Sequence, residues 1–347
     1  MKKIVIACDS YKGCLSSSEV SDAVAEGVSE AYPDCEVVRL AVADGGEGTV
    51  EALVDTLGGH LEWAEVSDPL GRPVRAAYGT AGDLAIIESA AACGLTLLSK
   101  EERNPLIATT KGLGELILAA VDKGCRRFLI GLGGSATNDG GMGMIGVEGF
   151  LAKTRGLQFT VACDVDTPYI GRNGASRVFG PQKGASEQDV EVLEERLLGY
   201  ALKISEDTGI DVSDMPGAGA AGGLGGAFRA YLGAELKRGV DLVLDQIGFD
   251  SVIAGADLVI TGEGCSDYQT LKGKTAAGVL ERAGRQHIPV ALVSGAVRDE
   301  KMLKDRGFRI VEAVTPPTMS LEEAMRPETA KRLVAISTRN ILHHICI

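Results

Sequence analysis

The opening of the chain constrains its fold most. Residues 4–8 form an unbroken apolar run, Ile-Val-Ile-Ala-Cys, which stops at Asp9-Ser-Tyr-Lys-Gly13. Runs of that length without alternation belong to strands buried on both faces. A helix follows: Ser16 and Glu19 make a capping box, Val20, Ala23, Val24, Gly27, Val28 and Ala31 line one face, and Pro33 ends it. A second strand at residues 37–42 runs into Ala43-Asp-Gly-Gly-Glu-Gly-Thr49, and the next helix closes at Gly58-Gly59. Strand–helix–strand units of this kind build a parallel sheet whose ligands bind beyond the carboxyl ends of the strands. Both polar loops fall there.

The rhythm then breaks. Residues 61–66, 74–78 and 84–88 read as short strands, the first two joined by the turn Asp68-Pro-Leu-Gly-Arg-Pro73, which predicts an antiparallel region and a boundary near residue 68. A helix near 110–122 leads to a strand at 127–130, and another strand at 159–163 ends in Asp164-Val-Asp166. The stretch Pro216-Gly-Ala-Gly-Ala-Ala-Gly-Gly-Leu-Gly-Gly226 reads as a loop followed by a tight helix–helix contact. From Asp257 the strand–helix alternation returns, through Thr261-Gly-Glu-Gly264, and a final helix is expected from about Leu321 toward His343. An α/β domain of residues 1–67 and 250–347, interrupted by a second α/β domain at 68–249, accounts for this order. A site in the cleft between them is the corresponding expectation.

The segment Ile130-Gly-Leu-Gly-Gly-Ser-Ala-Thr-Asn-Asp-Gly-Gly-Met-Gly143 is suited to an anion. Glycine costs about 1 kcal/mol against alanine inside a helix, so this density belongs where backbone turns tightly or approaches a ligand. Gly133, Gly134 and Ser135 can present N–H groups to phosphate oxygens, Thr137 and Asn138 can add side-chain hydrogen bonds, and Asp139 can reach a cation. A glycine-rich turn that only lets strand and helix pack closely is the plainer alternative. Residues 131–136 also satisfy the G-x-G-x-x-G/A dinucleotide fingerprint, but Asn138-Asp-Gly-Gly141 prolongs the loop where a dinucleotide-binding helix should already have begun. Gly273-Lys-Thr275 imitates the end of a phosphate-binding P-loop, yet Tyr268 stands where its first glycine would be.

Charge and cysteines narrow the class. A formal net charge of −13 disfavours nucleic acid and anionic membrane as partners, since phosphate neutralisation needs clustered Lys and Arg. The eight cysteines form no Cys-x-x-Cys pair and no zinc spacing, so they read as buried small hydrophobes in a reducing compartment. The N-terminal apolar run is too short for a signal segment, which makes a cytoplasmic protein the expectation. His60, His287, His343 and His344 all lie outside the glycine-rich loops, which argues against histidine chemistry. Acids, by contrast, recur at strand ends: Asp9, Asp44, Glu47, Asp139, Asp164, Asp166, Glu263 and Asp267. Lys12, Lys183, Lys272 and Lys274 share such loops, and Mg²⁺ with phosphates suits that mixture.

Seven collinear motifs, Asp9 to Gly13, Ala43 to Thr49, Gly131 to Gly140, Ala162 to Asp166, Phe179 to Gly184, Pro216 to Ala220 and Thr261 to Gly264, together resemble the bacterial type I glycerate kinases. The resemblance implies ATP-dependent phosphorylation of D-glycerate with Mg²⁺, usually to 2-phosphoglycerate. It also implies a flavodoxin-like domain interrupted by an α/β domain of restriction-endonuclease-like topology. On that basis the ATP phosphates are expected on Gly133, Gly134 and Ser135, with Ser10, Lys12 and Asn138 assisting. Mg²⁺ is expected on Asp139 with Asp44 or Glu263. Lys183 or Arg172 would hold the glycerate carboxylate, with Asp44 close to the substrate. Asp164 would orient or deprotonate its hydroxyl, and Lys12 and Lys183 would complete the catalytic set. The partners would be small molecules, the chain a monomer or homodimer. Two alternatives from other classes are a nicotinamide-dependent oxidoreductase of a small hydroxy acid and a non-enzymatic nucleotide or metabolite sensor. The family pattern has a longer segment between the helix after Gly143 and the strand at 159 than residues 148–157 provide.

Overall fold

The computed structural model describes residues 1–46 and 48–344; Glu47, Cys346 and the side chain of His344 lie outside the described part. Its strands are β1 Lys3–Cys8, β2 Glu36–Ala41, β3 His60–Ser67, β4 Pro73–Ala81, β5 Leu84–Glu88, β6 Arg127–Gly131, β7 Gln158–Ala162, β8 Glu235–Lys237, β9 Leu258–Thr261, β10 Cys265–Ser266, β11 Val290–Ser294, β12 Ala296–Val297 and β13 Ile310–Ala313. Its α-helices are α1 Ser17–Ala31, α2 Thr49–Leu57, α3 Ala90–Cys93, α4 Lys111–Asp122, α5 Met142–Ile145, α6 Phe150–Thr154, α7 Ala175–Phe179, α8 Glu187–Thr208, α9 Ala220–Leu232, α10 Gly239–Gln246, α11 Phe249–Val252, α12 Thr275–Arg285, α13 Glu300–Arg306, α14 Leu321–Ala324 and α15 Pro327–His344. It is a mixed α/β protein with parallel sheets. None of these helices is long and apolar enough to cross a membrane.

The chain packs into two compact units, residues 1–44, 55–57 and 240–347, and residues 45–54 and 58–239. The first holds a five-stranded sheet in the order β13-β11-β9-β1-β2, every pair parallel. Counted within the unit, that order is 2-1-3-4-5, the doubly wound arrangement of flavodoxin-like sheets. From Ile4 to Cys8, β1 is fully buried, as its unbroken apolar run requires. The capping box at Ser16 and Glu19 starts α1 as expected. Helix α1 packs against α15 closely enough that a Cβ on Gly27 would lie 2.3 Å from the Ala335 carbonyl oxygen.

The second unit holds six strands in the order β3-β4-β5-β6-β7-β8. The β3–β4 and β4–β5 pairs are antiparallel, and β5 to β8 are parallel. Its core includes Phe128 and Phe159, stacked with centroids 4.7 Å apart, and Phe228.

Several expectations shift. The boundary near residue 68 falls on a hairpin turn, because β3 pairs with β4 over its whole length, from His60 with Thr80 to Ser67 with Pro73. Residues 60–67 therefore belong to the second unit. Residues 240–249 belong to the first, where Val240 fills the space beside Gly278, and Arg282, almost buried, bonds Asp245 and Asp250 on either side of the α10–α11 junction. The expected single terminal helix is two, since Pro327 opens α15 and has no N–H to continue α14. Of the seven described cysteines, all free, only Cys8, Cys93 and Cys125 are buried; Cys14, Cys35, Cys163 and Cys265 are partly exposed.

Candidate active site

In the first unit, polar side chains gather at the carboxyl ends of β1, β9 and β11. Strands β1 and β9 are neighbours across the point where the order of this sheet reverses, the usual ligand crevice of a doubly wound sheet. Asp9 follows β1 directly. Its N–H donates to the Gly262 carbonyl at 2.9 Å, which ties the two strand ends together. Its carboxylate accepts from Thr275 Oγ1 at 2.6 Å and from the Ser10 N–H at 2.7 Å. Burial pushes the Asp9 carboxyl pKa up to about 6, and the like charge of Asp44 adds to that; the Thr275 and Ser10 hydrogen bonds and the charge of Lys12 oppose it.

Glu263, 8% exposed, is held by other partners. Its Oε1 accepts from Ser266 Oγ at 3.0 Å and from Thr270 Oγ1, and its Oε2 lies 3.4 Å from Lys274 Nζ. Ser266 Oγ stands 2.7 Å from Ser294 Oγ at the end of β11. Ser10 is half-buried and Lys12 exposed in the loop after β1, while Lys272 lies over the Tyr268 ring at 5.1 Å. No group of three or more His, Cys, Asp or Glu side chains suited to a metal occurs among the described residues. The crowding of Asp9 by Asp44 nevertheless leaves negative charge that a cation would relieve, and Mg²⁺ needs only one or two carboxylates when phosphate oxygens complete its shell.

In the second unit, the glycine-rich loop leaves β6 at Gly131. Gly133 and Gly134 are exposed, with Gly134 left-handed at φ +73°. The loop is tethered to α3 and the turn after it by the Ala136 N–H donating to the Cys93 carbonyl at 2.7 Å and the Leu95 N–H to the Gly134 carbonyl at 2.8 Å. Beyond Gly134 it turns inward. Ser135 Oγ lies 2.9 Å from Thr137 Oγ1, and Asn138 Nδ2 donates to Ser176 Oγ at 3.0 Å. Asn138 Oδ1 is buried without a hydrogen-bond partner among the described residues. Asp139 holds the far end of the loop in shape: its Oδ2 accepts from the Thr110 N–H at 2.8 Å, Thr110 Oγ1 at 3.0 Å, Thr109 Oγ1 at 3.2 Å and the Gly143 N–H at 3.1 Å, and its Oδ1 from the Gly141 N–H at 3.1 Å.

Lys183, 2% exposed, donates from Nζ to the Thr137 carbonyl at 2.6 Å. Burial pushes its pKa down to about 7, against the pull of Asp139 and Cys93. It supports the loop from beneath, whereas Arg172 stands exposed on the turn before α7. Asp164 is exposed after β7, and its Oδ1 accepts from the Gly239 N–H at 2.9 Å. The described histidines, His60, His287 and His343, are exposed and lie outside these loops.

The second glycine-rich stretch has a different task from the one expected. Ala221, Gly222 and Gly223 are all left-handed, a turn inside the segment that becomes α9. This turn lies against the first loop: the Gly140 N–H donates to the Gly222 carbonyl at 3.0 Å, and a Cβ on Gly222 would lie 2.1 Å from the Thr137 carbonyl oxygen. Glu88 is an acid that the sequence reading does not single out. It ends β5 opposite Gly131 and accepts from the Val50 N–H at 3.2 Å. The signal was available, since Glu88 is an acid closing an apolar run, the rule that selects Asp9 and Asp44.

The model of the glycerate kinase family matches residues 4–152 and 145–346. These stretches meet where the 148–157 connection is short. Glycerate kinase of Bacillus subtilis (strain 168) is 43% identical over 353 residues, covering 93% of this chain and 92% of its own. Glycerate 2-kinase of Escherichia coli (strain K12) is 43% identical over 355 residues, covering 93% of each. A crystal structure from Salmonella typhimurium LT2, described provisionally as glycerate kinase 2, superposes with a TM-score of 0.88 at 41% identity, over 99% of this chain and 98% of that one.

Proposed function

The chain belongs to the glycerate kinase family and is a kinase; from that premise we propose that it transfers the γ-phosphoryl group of ATP to D-glycerate with Mg²⁺, giving 2-phosphoglycerate. The observation that carries the reading is the carboxyl end of the first sheet, where buried Asp9, crowded by Asp44, shares its loops with Lys12 and Lys274. Phosphoryl transfer needs that pairing of carboxylates for a cation and lysines for phosphate. Asp9 and Asp44 would hold Mg²⁺, which when bound neutralises charge on the phosphates. Asp139 is a poorer ligand than the sequence suggests, because its oxygens already accept from Gly141 and Gly143 of its own loop and from Thr110 before α4. Glu263 faces Lys274 and orders the Ser266–Thr270 turn.

The N–H groups of exposed Gly133 and Gly134 would receive phosphate oxygens, an arrangement that costs no reorganisation during transfer. In the first unit, taken by itself, Ser10 and Lys12 lie after β1 and would donate to an anion at that strand end. Arg172 is the better candidate for the glycerate carboxylate, since Lys183 is buried under the loop and acts as a positioning residue for Thr137. Asp164, exposed and oriented by the Gly239 N–H, would orient the reacting hydroxyl. Positioning and charge neutralisation then supply most of the rate. The test is ADP release with D-glycerate, L-glycerate and other small hydroxy acids, with phosphorus NMR of the product. A D-glycerate-dependent signal with phosphate on the 2-hydroxyl is expected; turnover only with another hydroxy acid would overturn the substrate.

A further inference from the structure

We propose that Glu88 is a positioning residue for this reaction: it anchors the start of α2, and with it the turn after Asp44, to the carboxyl end of the second sheet. The proposal rests on the kinase reading for its kinetic consequence and on geometry alone for the anchor. Helix α2 begins at Thr49 behind glycines, where no Ser, Asp or Asn is available as a local cap. The Thr49 N–H donates locally to the Gly46 carbonyl at 3.3 Å, and the next N–H, that of Val50, is served from another element. Glu88 Oε1 accepts from the Val50 N–H at 3.2 Å, and the N–H groups of Thr49 and Gly48 also stabilise the carboxylate. A carboxylate at a helix N-terminus further gains from the helix dipole.

The turn being anchored lies tightly on the sheet end. A Cβ on Gly131, the register partner of Glu88, would lie 2.7 Å from the Gly45 carbonyl oxygen. A Cβ on Gly45 would lie 2.7 Å from Ala162 Cβ, and one on Gly133 would lie 3.7 Å from the Gly46 Cα. Backbone from Gly45 and Gly46 therefore crosses the ends of β6 and β7 beside the exposed Gly133, and Glu88 fixes its far side. Burial, the Glu51 charge and the opposing backbone N–H groups leave the Glu88 carboxyl pKa at about 7, so its ionised form depends on those donors.

Glu88→Gln keeps the shape and one acceptor oxygen, and Glu88→Ala removes the anchor. The expected result is graded. In Glu88→Ala the KM for glycerate or ATP rises about tenfold, the loss of one charge-assisted hydrogen bond. In Glu88→Gln it rises less, and kcat stays within a few-fold of wild type in both. Amide hydrogen exchange between Gly48 and Leu53 accelerates in Glu88→Ala while that of β6 and β7 is unchanged. Two results would overturn the proposal: a kcat loss of a hundredfold or more in Glu88→Gln with unchanged KM, which makes the carboxylate a proton acceptor, or faster exchange with no kinetic change at all. Wild-type protein that releases no ADP with glycerate, while Glu88→Ala still opens the 48–53 amides, would count against the substrate and uphold the anchor.

Discussion

The contact between the two glycine-rich stretches can be measured with a matched pair of substitutions, at Gly222 within α9 and at Gly233 just past its end. Gly222 and Gly233 are both left-handed, at φ +72° and +62°. Alanine at either position must adopt a conformation that costs an L-residue about 1–2 kcal/mol, partly offset by about 0.4–1 kcal/mol from a less flexible unfolded chain. Gly233→Ala should therefore cost about 1 kcal/mol, since among the described residues nothing beyond its chain neighbours lies within 4 Å of the added Cβ. Gly222→Ala carries the same backbone term and also places its Cβ 2.1 Å from the Thr137 carbonyl oxygen and 2.7 Å from the Asn138 Cα. These are backbone atoms that cannot rotate away, so an overpacking cost of about 1–3 kcal/mol is added. The expected total is about 2–4 kcal/mol.

The larger effect should appear in function as well, because the displaced peptides are those of the loop that Lys183 supports. Urea unfolding resolved by probes within residues 58–239 gives the stabilities, since a chain with two units need not unfold in one step. Glycerate-dependent ADP release gives the activities. Equal losses of stability in the two variants, or a Gly222→Ala enzyme with wild-type KM and kcat, would refute the close approach as the reason for glycine at position 222.

Three further outcomes rest on the charged groups. Asp9 has a folded pKa of about 6 against an ordinary 3.8, so the stability linked to its protonated form is complete below about pH 4 and is lost as pH rises through 6. The loss amounts to about 3 kcal/mol at about 1.4 kcal/mol per pKa unit. With divalent ions chelated, Asp9→Asn should remove that decline in urea midpoints between pH 4 and 8, and added Mg²⁺ should stabilise wild type more than the variant; parallel profiles would sink the assignment. Lys183 has the opposite sense: its folded pKa lies below the unfolded value, so the linked stability is complete at high pH and is lost as pH falls toward 7. Lys183→Met should flatten the Tm change of the second unit between pH 7 and 10, and an unaltered slope would contradict a buried amine there. Asp139→Asn should lower Tm and turnover by a factor independent of Mg²⁺ concentration, because the lost groups are acceptors for loop N–H and hydroxyl donors; rescue by raised Mg²⁺ would return Asp139 to the metal.

The parallel sheet of the first unit is legible in the sequence because its cause is local. Ile4 to Cys8 must be buried on both faces, and the capping box at Ser16 and Glu19 fixes where the helix begins. The boundary at residue 68 rests on a local rule too, and it fails because a hairpin turn and a domain edge share the same residues. Proline and glycine at 69, 71 and 73 mark a reversal of the chain, and only the β3–β4 register reveals that both arms belong to one sheet. The left-handed turn at Ala221 is illegible for a related reason. Glycine density announces that backbone comes close to something, and it does not name the partner.

The acids show the same limit in chemical form. Asp139, Asp164, Glu263 and Glu88 all lie after apolar runs or polar glycine loops, and sequence gives no ground for ranking them. Their partners rank them. Asp139 is satisfied by Thr109, Thr110, Gly141 and Gly143, Asp164 accepts from Gly239, and Glu263 accepts from Ser266 and Thr270 opposite Lys274. Asp9 is hydrogen-bonded as well, yet burial and Asp44 still outweigh those bonds and lift its pKa. Burial lifts Glu88 in the same way, so position separates the two: Glu88 faces the N–H groups at the start of α2, whereas Asp9 faces a second carboxylate, Asp44, with Lys12 nearby. That setting, at the point where the order of the first sheet reverses between β1 and β9, is why the proposed metal position lies at the end of the first strand and not in the glycine-rich loop.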